Sequence, residues 1–229
     1  QLYLDIICRP GHYKCHIMIE TQHIYKSFGD NEVLKDINAQ LRPGRNNLII
    51  GTSGSGKTTL LKCIVGLFEP TEGDVLYDGQ NFTDMHFRER VHIRKEIGML
   101  FQNSALFDSM TVEQNIMFPL NLFTDMSKSE KLDRANFCLE RVNLKEKNKL
   151  FPSELSGGMK KRVGIARAIS MQPKYLFVDE PNSGLDQGLL RELLGTHSER
   201  RPGKRDTNGR WSRATFLRLH LTRRTVWTG

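Results

Sequence analysis

Residues Gly51-Thr52-Ser53-Gly54-Ser55-Gly56-Lys57-Thr58-Thr59 gather the groups that a polyphosphate needs, in the order GxxxxGK followed by Thr. Glycines let backbone N–H groups turn inward onto phosphate oxygens with no Cβ in the way. A helix starting near Lys57 adds its positive N-terminal end. Lys57 can reach the β- and γ-phosphates, and the Thr58 hydroxyl can ligate Mg²⁺, so the expected ligand is Mg-ATP or a similar nucleotide. An apolar strand precedes the loop and an amphipathic helix follows it, the context such a loop requires.

The loop alone leaves kinases, GTPases and motor ATPases open. Tyr175-Leu176-Phe177-Val178-Asp179-Glu180 narrows the choice: four apolar residues form a central strand that delivers two carboxylates to its C-terminal edge. Asp179 is expected to hold Mg²⁺, and Glu180 to polarise the attacking water. No NKxD base-reading motif is present, which argues against a GTPase.

Leu155-Ser156-Gly157-Gly158-Met159 precedes a basic helix carrying Lys160, Lys161, Arg162 and Arg167. With this segment the chain resembles the ABC ATPases, whose signature is LSGGQ or a close variant. Ser156 with the Gly157 and Gly158 amides caps a helix N-terminus, a second anion site. The resemblance implies that this site meets the γ-phosphate held by an opposite subunit, so that ATP is sandwiched in a homodimer. It also implies adenine stacking by Tyr25, within Tyr25-Lys26-Ser27-Phe28-Gly29, although a core aromatic is the alternative. Gln102 matches the glutamine that senses the γ-phosphate and Mg²⁺, and Pro181-Asn182-Ser183-Gly184-Leu185-Asp186 matches the loop lying across the dimer interface. The implied fold is α/β: a P-loop NTPase with a RecA-like core, an N-terminal antiparallel β subdomain and an inserted α-helical subdomain around 103–170. The resemblance covers about 18–187.

The run from Leu100-Phe101-Gln102 through Leu106, Phe107, Met110 and Asn115 to Phe118-Pro119-Leu120 is similar to ATPases of Mla/Mce-type lipid transporters. Met159 followed by Lys-Lys-Arg-Val points the same way. That resemblance implies an integral-membrane permease and a lipid-binding Mce-type component as partners. It implies phospholipid movement between inner and outer membranes, with the ATPase peripheral on the cytoplasmic face of the inner membrane. Local helix packing is the other reading of the Leu106/Phe107/Met110 cluster. A soluble ABC ATPase of DNA repair or chromosome structure would carry long heptads or zinc modules, and neither heptads nor CxxC pairs occur. A remnant that only binds a partner is the remaining rival.

Positioning these groups calls for strands that end at one sheet edge. Residues 33–41 alternate and stop at the turn pair Pro43-Gly44, and 47–50 form a short buried strand leading into the glycine loop. Leu60, Leu61, Ile64, Val65 and Leu67 give 57–67 a helical apolar face. Residues 75–77, ending at Asp78-Gly79, predict a hairpin arm, and 97–101 another strand. Thr111-x-x-Gln114 is a capping-box start for a helix that Pro119 is expected to end. Amphipathic helices are predicted over 128–142 and 157–169, and a buried strand over 175–178. Strands alternating with helices imply a largely parallel sheet.

A chain of 229 residues suits one α/β domain, and no apolar run approaches the roughly 20 residues of a membrane span. Cys8, Cys15, Cys63 and Cys138 lack metal-ligand spacing and predict free thiols. The net charge of +8 is local: residues 1–187 hold 24 Lys+Arg against 23 Asp+Glu, while 188–229 hold 10 against 3. Arginine displaces lysine in the tail, isoleucine vanishes, and no pattern persists. In the family a histidine in a Thr-His-Asp context follows the catalytic Glu by some 30–35 residues. Here Trp211-Ser212-Arg213 occupies that window, His197 comes too early, and His220 is not expected to serve. Residues 188–229 are therefore expected to be an atypical end arising from a changed reading frame near Gln187–Gly188, with weak or absent hydrolysis. A basic tail for nucleic acid or anionic lipid is the rival, and nucleic acid is not the expected partner. Residues 1–17 read as a non-native or disordered leader ahead of Met18.

Overall fold

Alternating buried and exposed residues along 19–41 build the first layer of the protein. A computed structural model describes residues 19–42 and 47–179, and the backbone of 5–7, 214–216 and 219–221. The elements begin with β1 (Asp5–Ile7), β2 (Ile19–Phe28) and β3 (Asn31–Leu41). β2 and β3 form an antiparallel hairpin from Ile19↔Leu41 to Phe28↔Asn31. Gly29, at φ +58, makes the tight turn between them, a conformation that L side chains rarely adopt. Next come β4 (Ile49–Gly51), α1 (Lys57–Ile64), β5 (Glu72–Tyr77) and β6 (Gln80–Asn81), and β5–β6 is the hairpin arm anticipated at Asp78-Gly79. The order β3-β2-β5-β6 makes a four-stranded antiparallel sheet, as expected for the N-terminal subdomain.

The chain continues through α2 (Phe87–Lys95), β7 (Ile97–Leu100), α3 (Val112–Phe123), α4 (Lys128–Arg141), a 3-10 turn at Pro152–Glu154, α5 (Gly157–Ser170) and β8 (Tyr175–Val178). β7 and β8 are parallel, registered from Ile97↔Tyr175 to Leu100↔Val178. All four β8 residues are buried because the strand has a layer on each face. Tyr175 and Phe177 join the core shared with α1 and the antiparallel sheet, while Leu176 and Val178 join the core of α3, α4 and α5. The strand's period of two thus fastens the two halves together. Gly98 lets α5 come close, since a Cβ there would lie 2.3 Å from the Ala168 carbonyl oxygen.

The inserted helical layer is α3, α4 and α5. Capping boxes start the first two: the Thr111 amide donates to Gln114 Oε1 at 2.8 Å, and the Ser127 amide to Glu130 Oε2 at 2.7 Å. The predicted stop at Pro119 is corrected, because α3 runs through it to Phe123. A proline inside a helix costs about 3 kcal/mol, but Val112, Asn115, Ile116 and Leu120 are buried against α4 and α5, and each buried apolar side chain returns about 1.5–3 kcal/mol. Tertiary burial outweighs the local rule.

β9 (Ala214–Phe216) pairs antiparallel with β1, and β10 (Leu219–Leu221) pairs parallel with β4. Apart from these backbone segments, the expectations for 1–17 and 188–229 fall outside the described residues.

Candidate functional site

β4 carries the chain from the core to its own C-terminal edge, where Gly51 opens the glycine loop. Gly54 and Gly56 take φ of +75° and +89°. At Gly56 space is also closed, since a Cβ would sit 2.8 Å from Leu34 Cδ2 and 3.1 Å from the Val33 carbonyl oxygen. Thr52, Ser53 and Gly54 are exposed, and Thr58 and Thr59 half-buried in the first turn of α1. That turn holds no acidic side chain to compete with an anion, and its N–H groups have no acceptor within the helix. Lys57 is 6% exposed and folds back over the loop, donating to the Gly51 carbonyl at 2.9 Å, the Ser55 hydroxyl at 3.2 Å and the Thr52 carbonyl. A buried ammonium needs such acceptors, and a phosphate entering the loop offers stronger ones.

Asp179 follows β8, its amide donating to the Leu100 carbonyl at 2.9 Å. Asp179 is 3% exposed, and Thr58 Oγ1 donates to Asp179 Oδ1 at 3.2 Å. Two residues 121 apart in sequence therefore meet beside the loop. A hydroxyl and a carboxylate are hard oxygen donors, a set that fits Mg²⁺. Burial of Cys63 on α1 pushes its thiol up to about 11, against the opposing pull of Lys26.

The strand β7 neighbours β8, so Gln102, two residues past Leu100, emerges at the edge that carries Asp179. It is exposed. Ser156 caps α5 and accepts from the Met159 amide at 3.3 Å, while Gly157 is exposed and Gly158 half-buried. Gly164 lies against Leu100, seven residues into that helix. The signature therefore projects roughly 10 Å past the sheet edge, at 1.5 Å per residue. The structure thus brings Lys57, Thr58 and Asp179 together in one chain and sets 156–158 apart on the helical layer.

Tyr25 lies inside β2, half-buried, with its carbonyl accepting from the Thr71 amide at 2.8 Å. Phe28, which the sequence reading passed over, closes the same strand 46% exposed, edge-on to Phe68 with ring centroids 5.4 Å apart and Lys26 Nζ 5.1 Å from its own centroid. Its position at the strand end, next to Gly29, was the available signal. Glu180, residues 181–186 and His197 lie outside the described residues. The backbone of His220 pairs with Ile50, and its side chain is outside the description.

A phosphate-type loop between a buried strand and a helix, with a Thr–Asp oxygen pair beside it, defines a P-loop nucleotide-binding domain. The ABC transporter family profile matches residues 34–183. The chain is 44% identical over 177 residues to the glutamine transport ATP-binding protein GlnQ of Escherichia coli (strain K12), covering 77% of this chain and 73% of that protein. It is 39% identical to the methionine import ATP-binding protein MetN of Rhizobium johnstonii, covering 77% of this chain and 49% of that protein. Among solved structures, the dimeric post-hydrolysis state of the ATP-binding cassette MJ0796 bound to ADP and Pi matches with a TM-score of 0.70 and 34% identity, over 76% of this chain and 82% of that one. The chain belongs to the ABC transporter family, as an ATP-binding cassette of the ATPase type. It spans about half the length of MetN, and no helix among the described residues is long and apolar enough to cross a membrane.

Proposed function

We propose that this cassette binds Mg-ATP at residues 51–59, relies on Glu180 for a hydrolysis that is weak in this chain, where no histidine stands in a Thr-His-Asp context, and couples the cycle to an integral-membrane permease. The observation that carries the site is the Thr58–Asp179 contact at 3.2 Å beside the buried Lys57. Mg²⁺, when bound, would neutralise charge on the phosphate oxygens. Thr58, Asp179 and Gln102 would hold it, and Lys57 would leave its loop carbonyls for the phosphates. Ser156, Gly157 and Gly158 would complete the site of a second copy, in keeping with the dimeric state of MJ0796. An aromatic of β2, Tyr25 by resemblance or Phe28 by exposure, would take the adenine.

The cargo we propose is phospholipid, moved between bacterial membranes with an Mce-type component, the cassette sitting on the cytoplasmic face of the inner membrane. Support comes from the segment 100–120 and from Met159-Lys160-Lys161-Arg162-Val163. The relatives' names give glutamine and methionine for those proteins, so cargo needs its own test. The domain reading stands as a proposal as well: 18–187 as the cassette, 1–17 as leader, and a changed frame after Gln187, where the family match has just ended at 183.

Equilibrium binding of a fluorescent ATP analogue tests the site. Lys57→Ala should lose about 2–3 kcal/mol, a charge-assisted hydrogen bond or two, or roughly 30- to 150-fold in affinity. Tight binding by that variant would sink the assignment. Turnover by the parent that survives Glu180→Gln would remove Glu180 from its role. With the co-purified permease in vesicles, ATP-driven transfer of labelled phospholipid supports the lipid reading, and glutamine or methionine uptake in its place overturns it.

A further inference from the structure

Past Gln102 the backbone does something that its residues do not favour. Ser104 and Ala105 both take left-handed conformations, φ 62° and 44°, and neither is glycine. Such a turn persists where surroundings over-determine it. Arg167 supplies much of that constraint from α5: Nη1 donates to the Ala105 carbonyl and Nη2 to the Ser104 carbonyl, each at 2.7 Å. Both distances are in the range of charge-assisted bonds, and the planar fork spans two consecutive carbonyls as a lysine cannot. One helical turn earlier, Gly164 makes room, since a Cβ there would lie 2.8 Å from Leu100 Cδ1 and 3.2 Å from Ser104 Cβ. The far side of the loop is pinned separately, with buried Asn115 accepting from the Phe107 amide at 2.8 Å and donating to the Phe107 carbonyl at 3.1 Å.

We propose that Arg167 is a positioning residue: by clamping the left-handed turn at 104–105 it sets where Gln102 stands relative to Thr58 and Asp179, and it ties that placement to α5, whose first turn carries the signature. The inference rests on the reading of Gln102 as a ligand of the Mg²⁺–nucleotide site. A neutral side chain at 167 leaves two carbonyls without their donors and frees the turn to relax toward ordinary φ. Gln102 then loses its fixed position, while the loop at 51–59 stays built as before.

The test uses the full chain with Arg167→Met, Arg167→Lys and Gln102→Ala, read by amide hydrogen exchange and by ATP-analogue binding with and without Mg²⁺. Arg167→Met should speed exchange across 104–107 by about 10-fold or more, the scale set by losing two charge-assisted bonds. It should keep nucleotide affinity without Mg²⁺ while losing the gain that Mg²⁺ brings, as Gln102→Ala does. Arg167→Lys should fall between and serves if the methionine variant folds poorly. Parent-like exchange at 104–107 in both Arg167 variants overturns the clamp. Equal loss of affinity with and without Mg²⁺ overturns it too, because it marks a general structural role. If Gln102→Ala keeps the full Mg²⁺ gain, the Gln102 reading fails, and exchange at 104–107 alone decides for or against the clamp.

Discussion

Replacing Gly56 or Gly54 by alanine separates backbone conformation from space in the glycine loop. Both residues have positive φ, but only Gly56 is enclosed: a Cβ at Gly54 meets nothing within 4 Å, whereas at Gly56 it meets Leu34 Cδ2 at 2.8 Å and the Val33 carbonyl at 3.1 Å. Leu34 is 1% exposed and has nowhere to yield, and the Val33 oxygen belongs to the backbone of β3. Gly54→Ala should therefore cost the left-handed penalty alone, about 1–2 kcal/mol. Gly56→Ala adds overpacking of about 1–3 kcal/mol, for a total near 3 kcal/mol. At about 2–4 °C per kcal/mol for a chain of this size, the expected Tm losses are roughly 3–6 °C for Gly54→Ala and roughly 6–12 °C for Gly56→Ala. Mg-ATP at about 100 times its Kd should raise the parent's stability by about 2.7 kcal/mol. That rise should survive in reduced form in Gly54→Ala and vanish in Gly56→Ala, whose loop amides can no longer converge. Thermal unfolding followed by circular dichroism, with and without Mg-ATP, reads both effects. A Gly56→Ala protein melting within about 2 °C of the parent, or one less perturbed than Gly54→Ala, would refute the reasoning.

Tyr25→Ala and Phe28→Ala distinguish the two candidates for the adenine platform. Loss of a stacked aromatic should weaken ATP-analogue binding by about 1–2 kcal/mol, roughly 5- to 30-fold, in one variant and not the other. Equal affinities in both would remove the platform from this strand. Burial holds the Cys63 and Cys138 thiols at about 11, opposed by Lys26 and Arg134 respectively. Because the folded values lie above the unfolded one, this contribution to stability is whole below about pH 9 and is lost as pH rises from there through about 11. The urea midpoint should fall across that window, and should fall less in a Cys63→Ala/Cys138→Ala double variant. Parallel curves for the two proteins would contradict the assignment.

The glycine loop, the strand at Tyr175–Val178 and both flanking helices were legible in the sequence because each carries its own local rule: GxxxxGK, four successive apolar residues, a helical apolar stripe. Asp179 was legible as the first polar residue after such a strand. Pro119 misled because a local prohibition was weighed without the burial of Val112, Ile116 and Leu120 that offsets it. Phe28 and Tyr25 differ in a property that sequence does not carry, namely how far each stands out of β2.

What the sequence by itself determined is chemistry whose parts are contiguous: the loop, the Ser156 cap and the order of the motifs. Only the tertiary structure decided what depends on distant parts meeting. Thr58 reaches Asp179 because α1 packs in one core with Tyr175 and Phe177 of β8, and Arg167 reaches Ser104 because Gly164 lets α5 settle onto the end of β7. Local propensity is set over a few residues. Contacts across 63 or 121 residues exist only once two hydrophobic cores have fixed the strands and helices that bear them.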